Sequence, residues 1–598
     1  MLRRAGRKLD LQTLMASKAW EVLKRFLGNN PSTVFTVFFG KVGLALSGGG
    51  FRASFFHIGV LAKLAELDVL QHVEVLSCVS GGSIVGAHYY LKVRKLLEST
   101  PQAEIDRDAY IKLVQQLEGE FFSGAEKNIR TRVLGSFRAN LKMAFLSDYS
   151  RTERVGELYE KHLFSQVEPE TKQFWINDLI IKPLEGGASF KPKYHNWRRK
   201  IKVPILVLNA TTLNTGHNWQ FTASWMGEPP AGADAEVDAN YRLRRMYYSE
   251  APPQYQLVRL GSAVGASACV PGIFDPLSFP NLYPDATVRL VDGGVHDNQG
   301  TSALLDQGCN VLLVSDASGQ MGDVDEPGDN AISVLLRSNS ILQARIRLSE
   351  FEDVTARRRS SLLKGLMFIH LKKDLEAESK NWIDCEDPTD ASDDARPQHQ
   401  NGVLTPYGIR KDVQKKLSAI RTDLDSFNET EAFALMVSGY RMTEQQFPAS
   451  LPDFPTHSGS ANWRFLAIEP VLKRIGGNET AFRKLEKLLD TAKLSAFKIW
   501  QLEPMLKVSG WVLLGLILAL LLGACYLWRS EAVITYGWVG ITVLSALASL
   551  VLARLIGPKI THVLTSFGTE KRIRANSGGL LFLSLWRSPD SSPPGLTS

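Results

Sequence analysis

Ser80 lies in Ser77-Cys78-Val79-Ser80-Gly81-Gly82, where a strand-like apolar run stops and a helical pattern begins at once. A serine on so tight a strand-to-helix turn has its side chain pushed out at the sheet edge, and the residues two positions away must be small. Gly82 meets that need at plus two, while Cys78 stands at minus two. Ser83 is the competing nucleophile, but Val85, two positions on, is bulky and β-branched. Ser80 is the better candidate. Upstream, Gly48-Gly49-Gly50 follows the apolar run 42–46 and precedes a helix whose apolar residues Phe55, Ile58, Leu61 and Leu64 recur at three-residue steps. Backbone N–H groups at such a helix start carry no obstructing side chains and suit a developing oxyanion. Downstream, the run 288–291 leads into Asp292-Gly293-Gly294, where small residues allow a sharp turn and leave a carboxylate at the working edge of a sheet. The chemistry these three turns suit is acyl transfer through a serine.

Other chemistries fit less well. Gly48-Gly49-Gly50-Phe51-Arg52-Ala53 matches G-x-G-x-x-A, a dinucleotide fingerprint, which also wants an acidic residue at the end of the next strand. That strand ends in Cys78-Val79-Ser80, and Glu74 sits at its beginning. No Gly-Lys-Ser/Thr closes the turn as a P-loop requires. The acidic stretch 384–394 lacks the central glycine and closing glutamate of a calcium loop. Five scattered cysteines without a C-x-x-C pair argue for free thiols in a reducing compartment, and against a disulfide scaffold or zinc site.

The elements that must position these residues can be read in outline. Residues 41–87 form strand, glycine turn, helix, strand, sharp turn, helix, a βαβ unit that gathers both turns at one end of a parallel sheet. Buried strands are expected at 203–208 and 310–314, and a helix at 331–348. The passage 265–271, Gly-Ala-Ser-Ala-Cys-Val-Pro, has the small-residue texture of a tightly packed turn. Asn428-Glu429-Thr430-Glu431 reads as a helix N-cap with glutamate at N3, opening a helix over 432–440.

Taken together, the glycine loop followed by Arg52, the elbow serine and the distant Asp-Gly-Gly resemble the patatin-like phospholipase family over about residues 40–440. Ser47, Ala53 and Cys78 stand where that family often has Asp or Gly, Gly and Gly. The resemblance implies an α/β, patatin-like three-layer fold with a mainly parallel central sheet. It implies a serine lipid acyl hydrolase, phospholipase- or lysophospholipase-like, cleaving carboxylic esters with a Ser-Asp dyad and no histidine. Ser80 would be the nucleophile, Asp292 the base, and Gly48, Gly49 and Gly50 the oxyanion hole. Arg52 would brace the loop or meet a phosphate, with Gly82 and Gly293 in support. No metal or organic cofactor is implied. A triad remains open on chain order alone, because His296 and His370 follow Asp292. The rival function is a catalytically inactive, membrane-docked binding or signalling relative, motivated by Cys78.

The chain has 598 residues, 44% hydrophobic, with net charge +7, enough for several structural units and mildly suited to anionic partners. Residues 1–39 read as a basic amphipathic segment, and 40–445 as the catalytic domain, with a cap or lid expected within about 100–200. A linker and amphipathic helix occupy 446–505, followed by two transmembrane helices within 506–557 and a partly disordered tail over 558–598. The apolar runs 508–527 and 533–556 each match the roughly 20 residues that span hydrocarbon. The basic residues outside this hairpin place both termini and the catalytic domain on the cytosolic side. The expected partners are membrane phospholipid or another lipid ester, and the bilayer. The basic stretch 191–202 is read as a solvated loop, with no nucleic acid expected.

Overall fold

The computed structural model describes residues 36–493, apart from 37, 135–148, 188, 231–235, 320, 378–379, 381, 384–402 and 475–478. Its first elements are β1 (Val42–Leu46), α1 (Gly50–Glu66), β2 (Val73–Val79) and α2 (Gly81–Ser99), in the expected order. Every residue of β1 and β2 is buried, as continuous apolar runs in parallel sheets should be. Their side chains divide by the two-residue period. Leu44 and Leu46 enter the core on one face, and Ala45 enters the other with Val75, Val207 and Val314.

Then come α3 (Arg107–Ala125), α4 (Arg151–His162), β3 (Ile205–Thr212), β4 (Asn218–Phe221), β5 (Trp225–Gly227) and β6 (Met246–Tyr247). Further on are α5 (Leu260–Ser267), β7 (Leu277–Tyr283), β8 (Ala286–Asp292), β9 (Val311–Asp316), α6 (Ala331–Arg359), β10 (Gly365–His370), α7 (Glu429–Ser450) and α8 (Glu479–Thr491). The strand order is β10-β9-β1-β2-β3-β4-β5-β6, with β8 paired to β3 and to β7. Strands β10, β9, β1, β2 and β3 are parallel, and the other five pair antiparallel. The sheet is therefore mixed, not mainly parallel. The reason is local: after β3 the chain returns through short hairpin connections, which can join only antiparallel neighbours.

Helices cover the sheet at close quarters. All seventeen residues of α1 are buried, because α7 and α3 flank it. A Cβ on Gly59 would lie 1.9 Å from the Met436 carbonyl oxygen, and one on Gly439 would lie 2.2 Å from that of Phe56. α7 and α1 touch backbone to backbone, and larger residues there would overpack the contact. The cap of α7 forms as read: Asn428 Oδ1 accepts from Glu431 N–H at 2.8 Å, and Glu431 accepts from Asn428 N–H at 3.2 Å. Phe121 belongs to this core, edge-on to Phe51 and Phe55 at 5.8 and 5.5 Å.

The small-residue passage 265–271 closes α5 with its first three residues and turns over the rest, and earlier in the same helix Gly261 meets Gly156 of α4, with a Cβ on Gly261 falling 2.4 Å from the Gly156 carbonyl oxygen. One further reading is corrected. The basic stretch 191–202 is not wholly solvated, since Lys202 is buried and donates to Asn196 O at 2.9 Å and Thr36 Oγ1 at 2.7 Å. Among the described residues no helix is long and apolar enough to cross a membrane. The two apolar runs, the tail, the acidic stretch and nearly all of the N-terminal segment lie outside the described residues.

Candidate active site

The parallel strands deliver their carboxyl ends to one edge, and the three turns meet there. β2 ends at Val79, paired with Asn209 of β3, and the next residue is Ser80. Ser80 sits at φ 50° and ψ −117°, a strained backbone for a residue with a side chain. Its hydroxyl makes no capping bond to α2. The turn is held by its neighbours: Ser80 N–H donates to Ser267 Oγ at 3.0 Å, and Gly82 N–H donates to Ser47 O at 3.1 Å. Gly82 must be glycine on space alone, because a Cβ there would lie 2.1 Å from the Leu46 carbonyl oxygen. Ser83 is fully buried, and its hydroxyl shares a 2.7 Å bond with Ser267 Oγ. It is spent on structure.

Asp292 closes β8 opposite Ala210. Its N–H donates to Cys269 O at 2.8 Å, and its carbonyl accepts from Thr211 Oγ1 at 3.0 Å. Gly293 packs on the Asn209 carbonyl oxygen, 2.4 Å from where its Cβ would be, so no bulkier residue allows this approach of β8 to β3. The carboxylate accepts from Gly294 N–H at 2.8 Å, and the Ser80 side chain lies close enough to act on its pKa. Burial pushes its pKa up to about 6, against the lowering effect of the Gly294 N–H and the Ser80 side chain. Burial dominates.

The glycine loop faces the same space. Gly48 N–H is already donated to Asn298 O at 3.1 Å, so it is engaged rather than open. Those of Gly49 and Gly50 make no protein hydrogen bond among the described residues, and the N-terminus of α1 has no side-chain cap and no acidic residue in its first turn. Gly49 and Gly50 have φ of 135° and 57°, which favour glycine. A Cβ on Gly50 would lie 2.8 Å from the Asp423 carbonyl oxygen, which also accepts from Phe51 N–H at 3.1 Å.

Arg52 braces this loop. Its terminal nitrogens donate to Ile420 O at 2.7 Å and Ala317 O at 3.1 Å, and burial lowers its pKa to about 10. With both nitrogens bound to carbonyls and the side chain buried, it does not face the site as a phosphate ligand would.

Among the described residues, none of the hydrogen bonds of Ser80 or Asp292 goes to a histidine. His57 Nε2 donates to Ser47 O at 3.0 Å and Nδ1 accepts from Ser315 Oγ at 2.8 Å, a neutral tie between β1 and β9 whose burial lowers its pKa to about 4. His370 lies on β10, three strand positions from β2, or about 14 Å at the usual strand spacing. His296 is lowered by burial, and the charges that act on it belong to Asp297, His217, Asp306 and Arg242.

A largely apolar cleft of about 90 Å³ opens beside Ser80 and Gly50, lined by Ile84, Val133, Val270, Ile273, Phe274 and Leu424 among others. Sequence reasoning missed several of its builders. Ser267, Asn298 and the segment 422–424 are single polar or loop residues with no periodic signal, brought in by long-range contacts. Arg130 pairs with Asp423 at the rim.

Comparison with curated proteins gave no match. Among solved structures, human GIVD cytosolic phospholipase A2 is 14% identical, with a TM-score of 0.30, covering 51% of this chain and 46% of that one. The same human enzyme in complex with methyl gamma-linolenyl fluorophosphonate is 17% identical, with a TM-score of 0.24, covering 44% and 34%. VipD from Legionella pneumophila is 12% identical, with a TM-score of 0.25, covering 76% and 74%. The chain thus spans less than half the length of the human enzyme it matches. Residues 44–305 match the family model described as Patatin-like phospholipase, and the chain has an α/β, patatin-like fold built on a central mixed sheet.

Proposed function

We propose that this protein is a serine lipid acyl hydrolase, cleaving carboxylic esters of phospholipids or related lipids with Ser80 as nucleophile and Asp292 as general base. The observation that carries the reading is a buried Asp292 carboxylate close enough to the Ser80 side chain for that side chain to lower its pKa, beside open N–H groups at the start of α1. An ordinary aspartate is a poor base for a serine hydroxyl, and a carboxylate raised to about 6 is a better one while still ionised at neutral pH. Ser80 Oγ attacks the ester carbonyl as its proton passes to Asp292. The carbonyl oxygen becomes an oxyanion within reach of Gly49 and Gly50 N–H, with Gly48 holding the loop in place. The C–O bond to the alcohol then breaks, and Asp292 returns the proton to the leaving oxygen. Water, activated by the same carboxylate, frees the fatty acid. The apolar cleft suits an acyl chain, and its polar rim suits the ester and head group.

The inactive-relative reading rested on Cys78, and nothing at that residue favours it: its side chain lies under α2 against Gly86. A membrane tether through the apolar runs 508–527 and 533–556, with the catalytic domain on the cytosolic side, is part of the proposal on sequence grounds. The test is release of fatty acid from a panel of phospholipids and lysophospholipids by the purified full chain, its Ser80→Ala variant and its Asp292→Asn variant. Hydrolysis by the parent alone supports the reading. Equal rates in all three, or none in the parent, would reject it.

A further inference from the structure

The N–H groups of Gly49 and Gly50 owe their position to a part of the chain far away in sequence. Residues 419–428 cross from the short helix Lys411–Ser418 to α7 without helix or strand, and this strap backs the glycine loop. Asp423 O accepts from Phe51 N–H at 3.1 Å, and Ile420 O accepts from Arg52 Nη1 at 2.7 Å. Beside these two handholds, the Asp423 carbonyl oxygen and nitrogen stand 2.8 and 2.9 Å from where a Cβ on Gly50 would lie. The loop is pressed against the strap without slack, so a displaced strap moves the N–H groups with it. Misplacing a group at a reacting centre by about 1 Å costs on the order of a hundredfold in rate.

A stretch without helix or strand has no backbone ladder of its own, so side chains must hold it. Arg130 grips one side through Asp423, and Arg421 grips the other. The Arg421 side chain is only 1% exposed. Its Nη1 donates to Ala492 O at 3.1 Å and to Glu431 of α7 at 3.3 Å, and its Nη2 donates to Ser426 O at 2.7 Å. Its backbone N–H donates to the same Ala492 oxygen at 3.2 Å. The guanidinium also lies 4.3 Å over the Phe427 ring and 3.4 Å from Asp425. Ala492 is the first residue past α8, 71 positions beyond Arg421. Leu485 and Leu489 seat α8 in the core, and Lys416 reaches its Glu486 and Asp490 at 3.0 Å each. A planar fork of donors can join a helix end, a second helix and its own strap at once, which a single ammonium cannot.

We propose that Arg421 is a positioning residue for the oxyanion hole: it locks the strap to α7 and to the end of α8, and the strap sets Gly49 and Gly50. The catalytic unit therefore reaches Ala492. This rests on the reading of those N–H groups as the oxyanion hole of a lipid hydrolase. The experiment uses the full chain and its Arg421→Met and Arg421→Lys variants. Because Arg421→Met alone would leave Glu431 buried without its cation, the double variant Arg421→Met, Glu431→Gln accompanies it. Hydrogen exchange at the Phe51 amide, read by mass spectrometry on overlapping peptides, should quicken about tenfold or more in the single and double Met variants, while β1, β2 and β9 exchange as in the parent. On a soluble short-chain ester, kcat should fall about tenfold to a hundredfold with KM little changed. Ser80 Oγ adds to the carbonyl carbon of a fatty trifluoromethyl ketone as its proton passes to Asp292, which leaves an alkoxide in the hole. Affinity for that ketone should fall in step with kcat/KM. The matching alcohol forms no oxyanion and should bind as it does to the parent. Arg421→Lys should fall between parent and Arg421→Met. Parent-like exchange at Phe51 in the double variant would overturn the proposal, as would a rise in KM with kcat unchanged. Protection lost throughout the domain would also overturn it, making Arg421 a general anchor of the fold. If exchange at Phe51 quickens but the parent hydrolyses neither lipid nor ester, the hydrolase reading fails and the hold of Arg421 on the loop stands.

Discussion

Cys78 Sγ occupies the space that a side chain on Gly86 would need: a Cβ built there would lie 2.3 Å from the sulfur. The two residues face each other across β2 and the second turn of α2. The elbow thus accommodates a cysteine two residues before Ser80 by keeping glycine eight positions later.

This pairing predicts compensation. Gly86→Ala should destabilise the fold by about 1–3 kcal/mol through overpacking. Cys78→Gly should leave activity intact at some cost in stability, and the double variant should recover most of the loss, helped by the better helix propensity of alanine. Thermal unfolding of the four proteins forms a double-mutant cycle that measures the coupling. Additive effects would show that the contact does not matter.

Ser267 predicts a positioning effect. Its hydroxyl accepts from Ser80 N–H and shares a bond with Ser83. Ser267→Ala leaves the elbow N–H without that acceptor, and kcat should fall by about tenfold to a hundredfold, 1.4–2.7 kcal/mol of barrier, with KM little changed. Ser83→Ala should cost less than tenfold. Steady-state kinetics on a short-chain ester decide, and the reverse ranking would favour Ser83 as the reacting group.

The raised pKa of Asp292 makes two opposite pH predictions. The base must be ionised, so kcat/KM should fall as pH drops through about 6 and level off above it. For stability, the folded state holds this proton more tightly than the unfolded chain. The contribution is full below the ordinary aspartate pKa and is lost as pH rises through about 6. At pH 8 the buried charge therefore costs up to about 3 kcal/mol, from two pKa units. Asp292→Asn should abolish turnover while melting no lower than the parent at pH 8, an advantage that shrinks towards pH 5. A lower melting temperature at every pH would mean that the carboxylate is a structural anchor.

The histidines should be dispensable for chemistry. His296→Ala and His370→Ala should each keep activity within about tenfold of the parent, since no hydrogen bond of Ser80 or Asp292 goes to a histidine among the described residues. A loss of about a thousandfold in a folded variant, the scale of a missing general base, would make Asp292 an orienting residue instead.

The parallel half of the sheet was legible because each of its inner strands is a continuous apolar run ending in a diagnostic turn, as with Val79-Ser80 and Leu46-Ser47. The antiparallel half was not, apart from the run 288–291 that ends β8 at Asp292. β4, β5 and β6 have four, three and two residues, too short for any period to declare itself. The hairpin of β7 and β8 alternates buried and exposed positions only partly, and its partner β3 is distant in sequence. The site divides in the same way. Ser80, Asp292 and the glycine loop announce themselves through local turn chemistry. Asn298 holding Gly48, Ser267 holding Ser80 and Asp423 pressing on Gly50 arise from contacts that no local pattern encodes. α6 was expected to stop near 348, but it continues to Arg359, and the added turns carry the residues that anchor it.

The central claim is that Ser80 is activated by Asp292. The most direct measurement is peptide mapping by mass spectrometry after the full chain reacts with a long-chain alkyl fluorophosphonate. The phosphonyl adduct should sit on Ser80 at one per chain. It should be absent in Ser80→Ala and formed at least a hundredfold more slowly in Asp292→Asn, while His296→Ala and His370→Ala label at nearly the parent rate. An adduct on Ser83, or undiminished labelling of Asp292→Asn, would contradict the account.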